Sequence, residues 1–446
     1  MIASATDPAP RPVSRSDATP PPWVTVVSMV GLALLVYLPA ALAAGFLDFD
    51  DNFFFGPHNP EFREGLSAVL DPRRPIANAW LPVAHSSLWF DYACGGASPL
   101  WAHVHSLLLH GLGAAVLVRL LLACGAQRAV ALLAGACFLA HPALAESVAW
   151  VSGRKDVLSG LFVFAALLQT VRFAQRPGWW RALALAVLAA LAMYSKATAV
   201  VLPLLAVLVC VHAGGSRLRF LGPAVLLLVT LPIAWHHHAI AAAEGTLAAG
   251  ALGARLPQLG GVCAHYVATT FWPLHLNVLY PEVDTLARFR AEPAGGFAIL
   301  AIALLAVVVA GRRPAWRPGA IAIASFFVAL LPFNTVYPAS TIAAADRYLY
   351  LAVPAAAFFT TMVLQQTLGR TGLAVATAIL VLLAAGACNR SFDFGSDEAL
   401  WRSSLAVDSA NAVAHFNLAH EGLQRNPVSV EEVEQHLEAA VAAARH

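Results

Sequence analysis

The sequence predicts an all-α, polytopic membrane protein of about eleven transmembrane helices, followed by a short helical tail. Three observations predict it. Hydrophobic residues fill 59% of the 446 positions. Charged residues fill 12%, about half the roughly 25% typical of soluble domains. The apolar residues gather into long runs, and the mean hydropathy is +0.70. A net charge of +2 without a basic, aromatic-interleaved patch gives no reason to expect a nucleic-acid partner. No G-x-x-x-x-G-K-S/T loop is present, so nothing marks an ATP-driven pump.

Residues 1–22 are a Pro-, Ser- and Ala-rich N-terminus expected to be disordered. Trp23 to Gly45 reads as the first span, since about 20 residues cover about 30 Å of bilayer. Ala41-Leu42-Ala43 resembles a signal-peptide cleavage site. The run is long for a signal segment, however, and no Lys or Arg immediately precedes it. Further spans are read at 99–122, 129–150, 157–175, 181–195, 198–213, 220–243, 294–310, 317–333, 349–366 and 372–388, giving a transmembrane domain over 23–388. The hydrophobic stretch 179–213 is split at Ser195-Lys196, because a lysine in mid-bilayer costs roughly 3 kcal/mol. Gly260 to Leu276 is read as re-entrant or interfacial, since a full crossing would break the alternation.

With the N-terminus cytoplasmic, the short inner loops hold Arg128, Arg176, Arg217, Arg219, Arg312, Arg313, Arg317 and Arg370 and no acid. That bias is the positive-inside signal. The C-terminus then lies outside, as does the long first loop, 46–98, whose aromatic-rich stretch Trp80 to Tyr92 suits an amphipathic surface helix. Alanine- and arginine-rich usage with only two lysines hints at a bacterial inner membrane. In the tail, 389–446, Ala412, His415, Phe416, Leu418 and Ala419 fit one helix. Val430, Val433, Leu437 and Val441 fit a second, which Ser429 caps after the break at Pro427. Such a pair resembles one tetratricopeptide unit or an unspecific helical hairpin. It cannot bury its own core well, so it is expected to pack on the membrane domain or on a protein partner.

The chemistry-bearing residues fall on one side. Asp48-Phe49-Asp50-Asp51-Asn52 follows the first span directly. Crowded carboxylates beside apolar surface suit a general base, or a ligand pair for a divalent cation; a solvated helix-end cluster is the plainer reading. Glu146 and Ser152-Gly153-Arg154-Lys155-Asp156 join spans three and four, Lys196 joins spans five and six, and Asp346-Arg347-Tyr348 opens span ten. Ion pairing of Arg347 with Asp346 or Asp156 is the structural alternative. Carboxylates among cations suit transfer from a phosphate leaving group. His236, His237 and His238 point about 100° apart on a helix and cannot share one metal. His103 and His110 lie on one helix face and suit packing or a hydrogen bond inside the bundle. Of the six cysteines, Cys94 and Cys263 are read in loops and the other four in apolar runs, with no zinc spacing and no bridge expected.

Leu139-Ala140-His141-Pro142, the segment from Glu146 to Leu158, and Ala345-Asp346-Arg347-Tyr348-Leu349-Tyr350-Leu351 closely resemble segments of the transmembrane-and-tetratricopeptide protein O-mannosyltransferase family and its bacterial relatives. Asp50-Asp51 with the aromatic run to Gly56 is similar to the acidic signature of GT-C enzymes. The resemblance implies a GT-C membrane fold, an inverting transferase and a polyprenyl-phosphate sugar donor, mannose being the implied sugar. The implied acceptor is a Ser or Thr hydroxyl of an exported protein. By that analogy Asp50 is the base and Asp51 positions it. Arg154, Lys155, Lys196 and Arg347 face the donor phosphate, and Glu146, Asp156 and Asp346 are supporting acids. Two departures stand out. Ala197 replaces the acid that follows the Ser-Lys pair in relatives, and the tail offers a single repeat-like pair. The short tail leaves a glycan or lipid acceptor open. The rival readings are a non-enzymatic scaffold that recruits partners through its tail, and a flippase for lipid-linked glycans.

Overall fold

The first apolar run forms helix α1 (Pro22–Ala41), and every expected span has a helix in its place. A computed structural model describes residues 20–56, 59–96, 98–245, 252–280, 293–333, 344–425 and 427–443. The expected disordered stretch therefore lies almost wholly outside the described residues. After α1 come α2 (Pro82–Gly95), α3 (Pro99–Ala123), α4 (Arg128–Leu139), α5 (Ala145–Ala149), α6 (Arg154–Gln175), α7 (Trp179–Ser195), α8 (Leu202–Ala213) and α9 (Leu221–Ala243). They continue as α10 (Leu252–Phe271), α11 (Pro293–Gly311), α12 (Arg317–Ala329), α13 (Val353–Leu368) and α14 (Arg370–Phe392), and the tail is α15 (Asp397–Val407), α16 (Ala412–Gln424) and α17 (Val430–Ala443).

Among the described residues, six helices are long and apolar enough to cross a membrane by length and composition. A seventh is counted if α4 and residues 142–149, bent by 51°, form one span. Large apolar side chains face outward: Leu228 and Trp235 are 75% exposed and Leu382 73%. A soluble monomer does not present so many large apolar side chains to water, and the chain is an integral membrane protein.

Two breaks differ in cause. The expected span 129–150 ends at Leu139 because Pro142 lacks an amide donor and holds His141 extended (ψ 124°). The expected break at Ser195-Lys196 is present: Lys196 is extended (φ −160°), and a 3-10 turn over Ala197–Val201 leads into α8. The Gly260–Leu276 stretch is largely helical, as part of α10, which packs on α11. Their approach is so close that a Cβ on Gly296 would lie 1.6 Å from the Gly260 carbonyl oxygen, so only glycine fits. Cys263 sits buried in α10 rather than in a loop, and all six cysteines are free.

His110 bonds Tyr350 Oη (2.8 Å) and the Leu139 carbonyl (3.0 Å), and His103 bonds the Gly45 carbonyl (3.1 Å), as their shared face suggests. In the tail, Ser396 and Asn411 cap α15 and α16 through their side chains. His415 meets His436 and Gly422 meets Val433, so α16 and α17 run antiparallel. The tail packs on the membrane domain: Trp401 meets Phe49 edge-on at 5.5 Å, and Asn411 donates to the Leu279 carbonyl.

Candidate functional site

The acids and cations singled out in the sequence gather at one end of the bundle. Asp50 leaves α1 in a left-handed conformation (φ 81°), which is unusual for a residue with a Cβ and frequent at functional sites. Its side chain is 37% exposed, and its Oδ2 lies 4.0 Å from Lys155 Nζ. Asp51 turns the other way and is 1% exposed. Its Oδ2 accepts from the Leu47 amide (3.1 Å). Its Oδ1 accepts from the Ser152 amide (2.9 Å) and hydroxyl. Burial pushes the Asp51 carboxyl up to about 7, against the lowering effect of those hydrogen bonds.

Asp50 and Asp51 thus sit in unlike surroundings, one partly exposed beside a lysine and one buried among backbone donors. Both oxygens of Asp51 are already occupied by protein donors. Among the described residues no group of three His, Cys, Asp or Glu side chains is placed to hold a metal ion.

The four expected phosphate cations separate into one and three. Arg154 is fully buried and ion-paired with Asp91. Its Nε donates to Ser106 Oγ (3.0 Å), Nη1 to the Ser87 carbonyl (3.1 Å) and Nη2 to the Ala102 carbonyl (2.6 Å). Every nitrogen of that guanidinium is held by protein, so Arg154 fastens α6 to α2 and α3. Asp91 is the partner that sequence reasoning missed. It sits 63 positions upstream within an aromatic stretch, with no local pattern to mark it.

The other three cations form a cluster. Lys155 Nζ lies 5.2 Å from the centroid of the Trp150 ring and the Arg347 guanidinium 5.7 Å from the same centroid. Lys196 Nζ and Arg347 share the Tyr348 ring at 5.5 and 5.2 Å. Lys196 pairs with Asp156 and Arg347 with Glu146, and Glu146 also accepts the Arg347 amide (2.9 Å). The partner of Arg347 is thus Glu146 and neither Asp346 nor Asp156. Lys155 is the most accessible of the three, its side chain 27% exposed against 12% and 7% for Lys196 and Arg347. Trp150 itself is buried and its indole Nε1 has no hydrogen-bond partner.

Asp346 stands behind the cluster, buried and accepting a hydrogen bond from Tyr280 Oη at 2.8 Å. Burial, reinforced by Glu146, pushes its carboxyl up to about 8. The tail reaches the same end. Both oxygens of Asp397 accept the Asp48 amide at 3.0 Å, two positions before Asp50. A contact across 349 positions has no sequence signal.

With this geometry in place, comparison with known proteins is informative over part of the chain. No protein-family model matches it. The protein O-mannosyl-transferase Tmtc2 of Drosophila melanogaster is 34% identical over 139 residues, 30% of this chain and 14% of that protein. Tmtc1 of the same organism is 31% identical over 122 residues, 27% of this chain and 14% of that protein. Xenopus laevis tmtc2 is 31% identical over 123 residues, covering 28% and 15%. The chain resembles the Tmtc O-mannosyl-transferases over these stretches, which span about one seventh of each relative's length. Among solved structures, ArnT from Cupriavidus metallidurans bound to undecaprenyl phosphate aligns over 94% of this chain and 76% of its own. The TM-score is 0.41 and the identity 18%.

Proposed function

We propose that the chain is a GT-C type membrane glycosyltransferase that moves a sugar from a polyprenyl-phosphate donor to a hydroxyl acceptor on the non-cytoplasmic face. The observation that carries this reading is the convergence of Asp50 with Lys155 beside Trp150, Arg347 and Lys196. The partial resemblance to protein O-mannosyl-transferases supports mannose as the sugar and a Ser or Thr of an exported protein as the acceptor. The arginine bias of the opposite loops supports the orientation.

In this reading Asp50 takes the proton of the acceptor hydroxyl. The hydroxyl oxygen attacks the anomeric carbon from the side away from the phosphate, and the bond from that carbon to the phosphate oxygen breaks. The configuration inverts, and polyprenyl phosphate leaves carrying the bonding pair. Charge builds on the phosphate as the bond breaks, and Lys155, the least enclosed cation, meets it first. Arg347 and Lys196 hold the field from behind. Asp51 serves as a strut, fixing Leu47 and Ser152 so that Asp50 and Lys155 face each other. Asp156 and Glu146 keep Lys196 and Arg347 oriented, and Asp346 holds Tyr280 behind them.

The experiment compares intact-mass glycoproteomics and glycan profiles of cells expressing the parent chain and Asp50→Asn at equal folded levels. Loss of one class of hexose-modified products in the variant is expected. Unchanged glycosylation with a folded variant overturns the enzymatic reading and favours the scaffold. In that case removal of residues 396–446, and not Asp50→Asn, abolishes function.

A further inference from the structure

The end of the bundle opposite Asp50 carries a second constellation. An apolar crevice of about 300 Å³ runs between α3, α6, α8, α12 and α13, from Leu351 and Val163 down to Gly125 and Gln366 at the arginine-rich end. There it meets a polar cavity of about 360 Å³ lined by Arg312, Arg317 and His212. His212 and Pro318 line both, so the two spaces adjoin. Among the described residues no Asp or Glu lines either one. Arg312 and Arg317 are exposed, and Arg317 is braced by a bond from Nη2 to the Val211 carbonyl at 2.7 Å. His212 Nε2 donates to the Cys124 carbonyl at 2.7 Å. Its Nδ1 is buried without a hydrogen-bond partner.

We infer that this end of the bundle is a binding site for one anionic phospholipid. The phosphate sits between Arg312 and Arg317, and one acyl chain enters the crevice. At about 30 Å³ per small group, the share of one water in the liquid, the crevice takes on the order of ten chain carbons, part of one acyl chain of an anionic phospholipid. Charge favours it over a zwitterionic lipid, because two arginines without a neighbouring acid attract a net negative headgroup. The site is separate from the Asp50 cluster, so the inference stands whether or not the proposed transfer reaction does.

The test is native mass spectrometry of the delipidated full-length chain titrated with phosphatidylglycerol and with phosphatidylcholine of matched chains. One phosphatidylglycerol is expected to bind in preference to phosphatidylcholine. Arg312→Gln is expected to weaken it about fivefold, the worth of one cation at an anionic headgroup, and R312Q/R317Q more. Arg313→Gln, on the same loop but outside the cavity lining, leaves affinity unchanged. Ser325→Leu, which fills the crevice, weakens binding without altering the charge. Equal binding of the two lipids, or equal weakening by Arg312→Gln and Arg313→Gln, overturns the site. Displacement by inorganic phosphate alone, with no effect of Ser325→Leu, overturns the acyl-chain part of it.

Discussion

Arg154 and Lys155 are neighbours in the chain with unlike surroundings. Arg154 is enclosed by Asp91 and backbone carbonyls, while Lys155 is partly open beside Asp50. Removing one partner of a buried ion pair leaves the other charge without compensation, which costs about 3–5 kcal/mol. Arg154→Met is therefore expected to lower thermal stability strongly. Lys155→Met is expected to leave stability nearly unchanged and to slow sugar transfer or weaken donor binding. Melting curves and transfer rates on the two purified variants check the contrast, and equal destabilisation contradicts it. Asp51 and Asp346 make a second prediction. Their folded carboxyls are raised from 3.8 to about 7 and about 8. The folded state thus keeps protons that the unfolded chain releases near pH 4. The associated stability is complete below pH 4 and is lost as pH rises through 7 to 8. Melting temperature in detergent should fall between pH 5 and pH 8, less so in Asp51→Asn and Asp346→Asn. A pH dependence identical in all three proteins contradicts this.

At the scale of elements, the turn from α5 into α6 decides whether the site forms. Gly153 has an ordinary φ of −66°, so its conformation does not require glycine. The reason is proximity: an added Cβ would lie 2.8 and 2.9 Å from the Glu146 and Ser147 carbonyl oxygens. Backbone cannot yield as a side-chain tip can. Gly153→Ala should cost about 1–3 kcal/mol by overpacking and displace Glu146 from Arg347 and Arg154 from Asp91. Denaturation together with donor affinity measures this, and a variant with parental stability and affinity refutes the close-approach argument. The helices themselves were legible in the sequence because apolar run length and the Lys196 interruption are local signals. The bend at His141-Pro142 was missed, since 129–150 reads as one span on hydropathy. The opposed directions of Asp50 and Asp51 were not legible. Adjacent carboxylates look alike until the left-handed turn at Asp50 sends one inward.

Across the whole molecule, long-range contacts assemble the site. Asp48 meets Asp397 in the tail, Glu146 meets Arg347, and Asp91 meets Arg154. The charged segments were visible in the sequence as departures from an apolar background, and most residues of the candidate cluster were singled out that way. Their pairings were not, because each joins separate helices and no periodicity links them. Arg347 chose Glu146 over its neighbour Asp346 since Asp346 turns toward Tyr280. The arrangement leaves Asp50 and Lys155 at the accessible edge of an otherwise closed cluster. The most direct test is single-turnover transfer from a labelled polyprenyl-phosphate mannose by the purified chain in a lipid nanodisc, parent against Asp50→Asn. A rate at least about 100-fold lower is expected in the variant, the usual worth of a general base, with donor affinity changed by less than threefold. Equal rates for the two proteins, or a variant that fails only because it no longer binds donor, would contradict it.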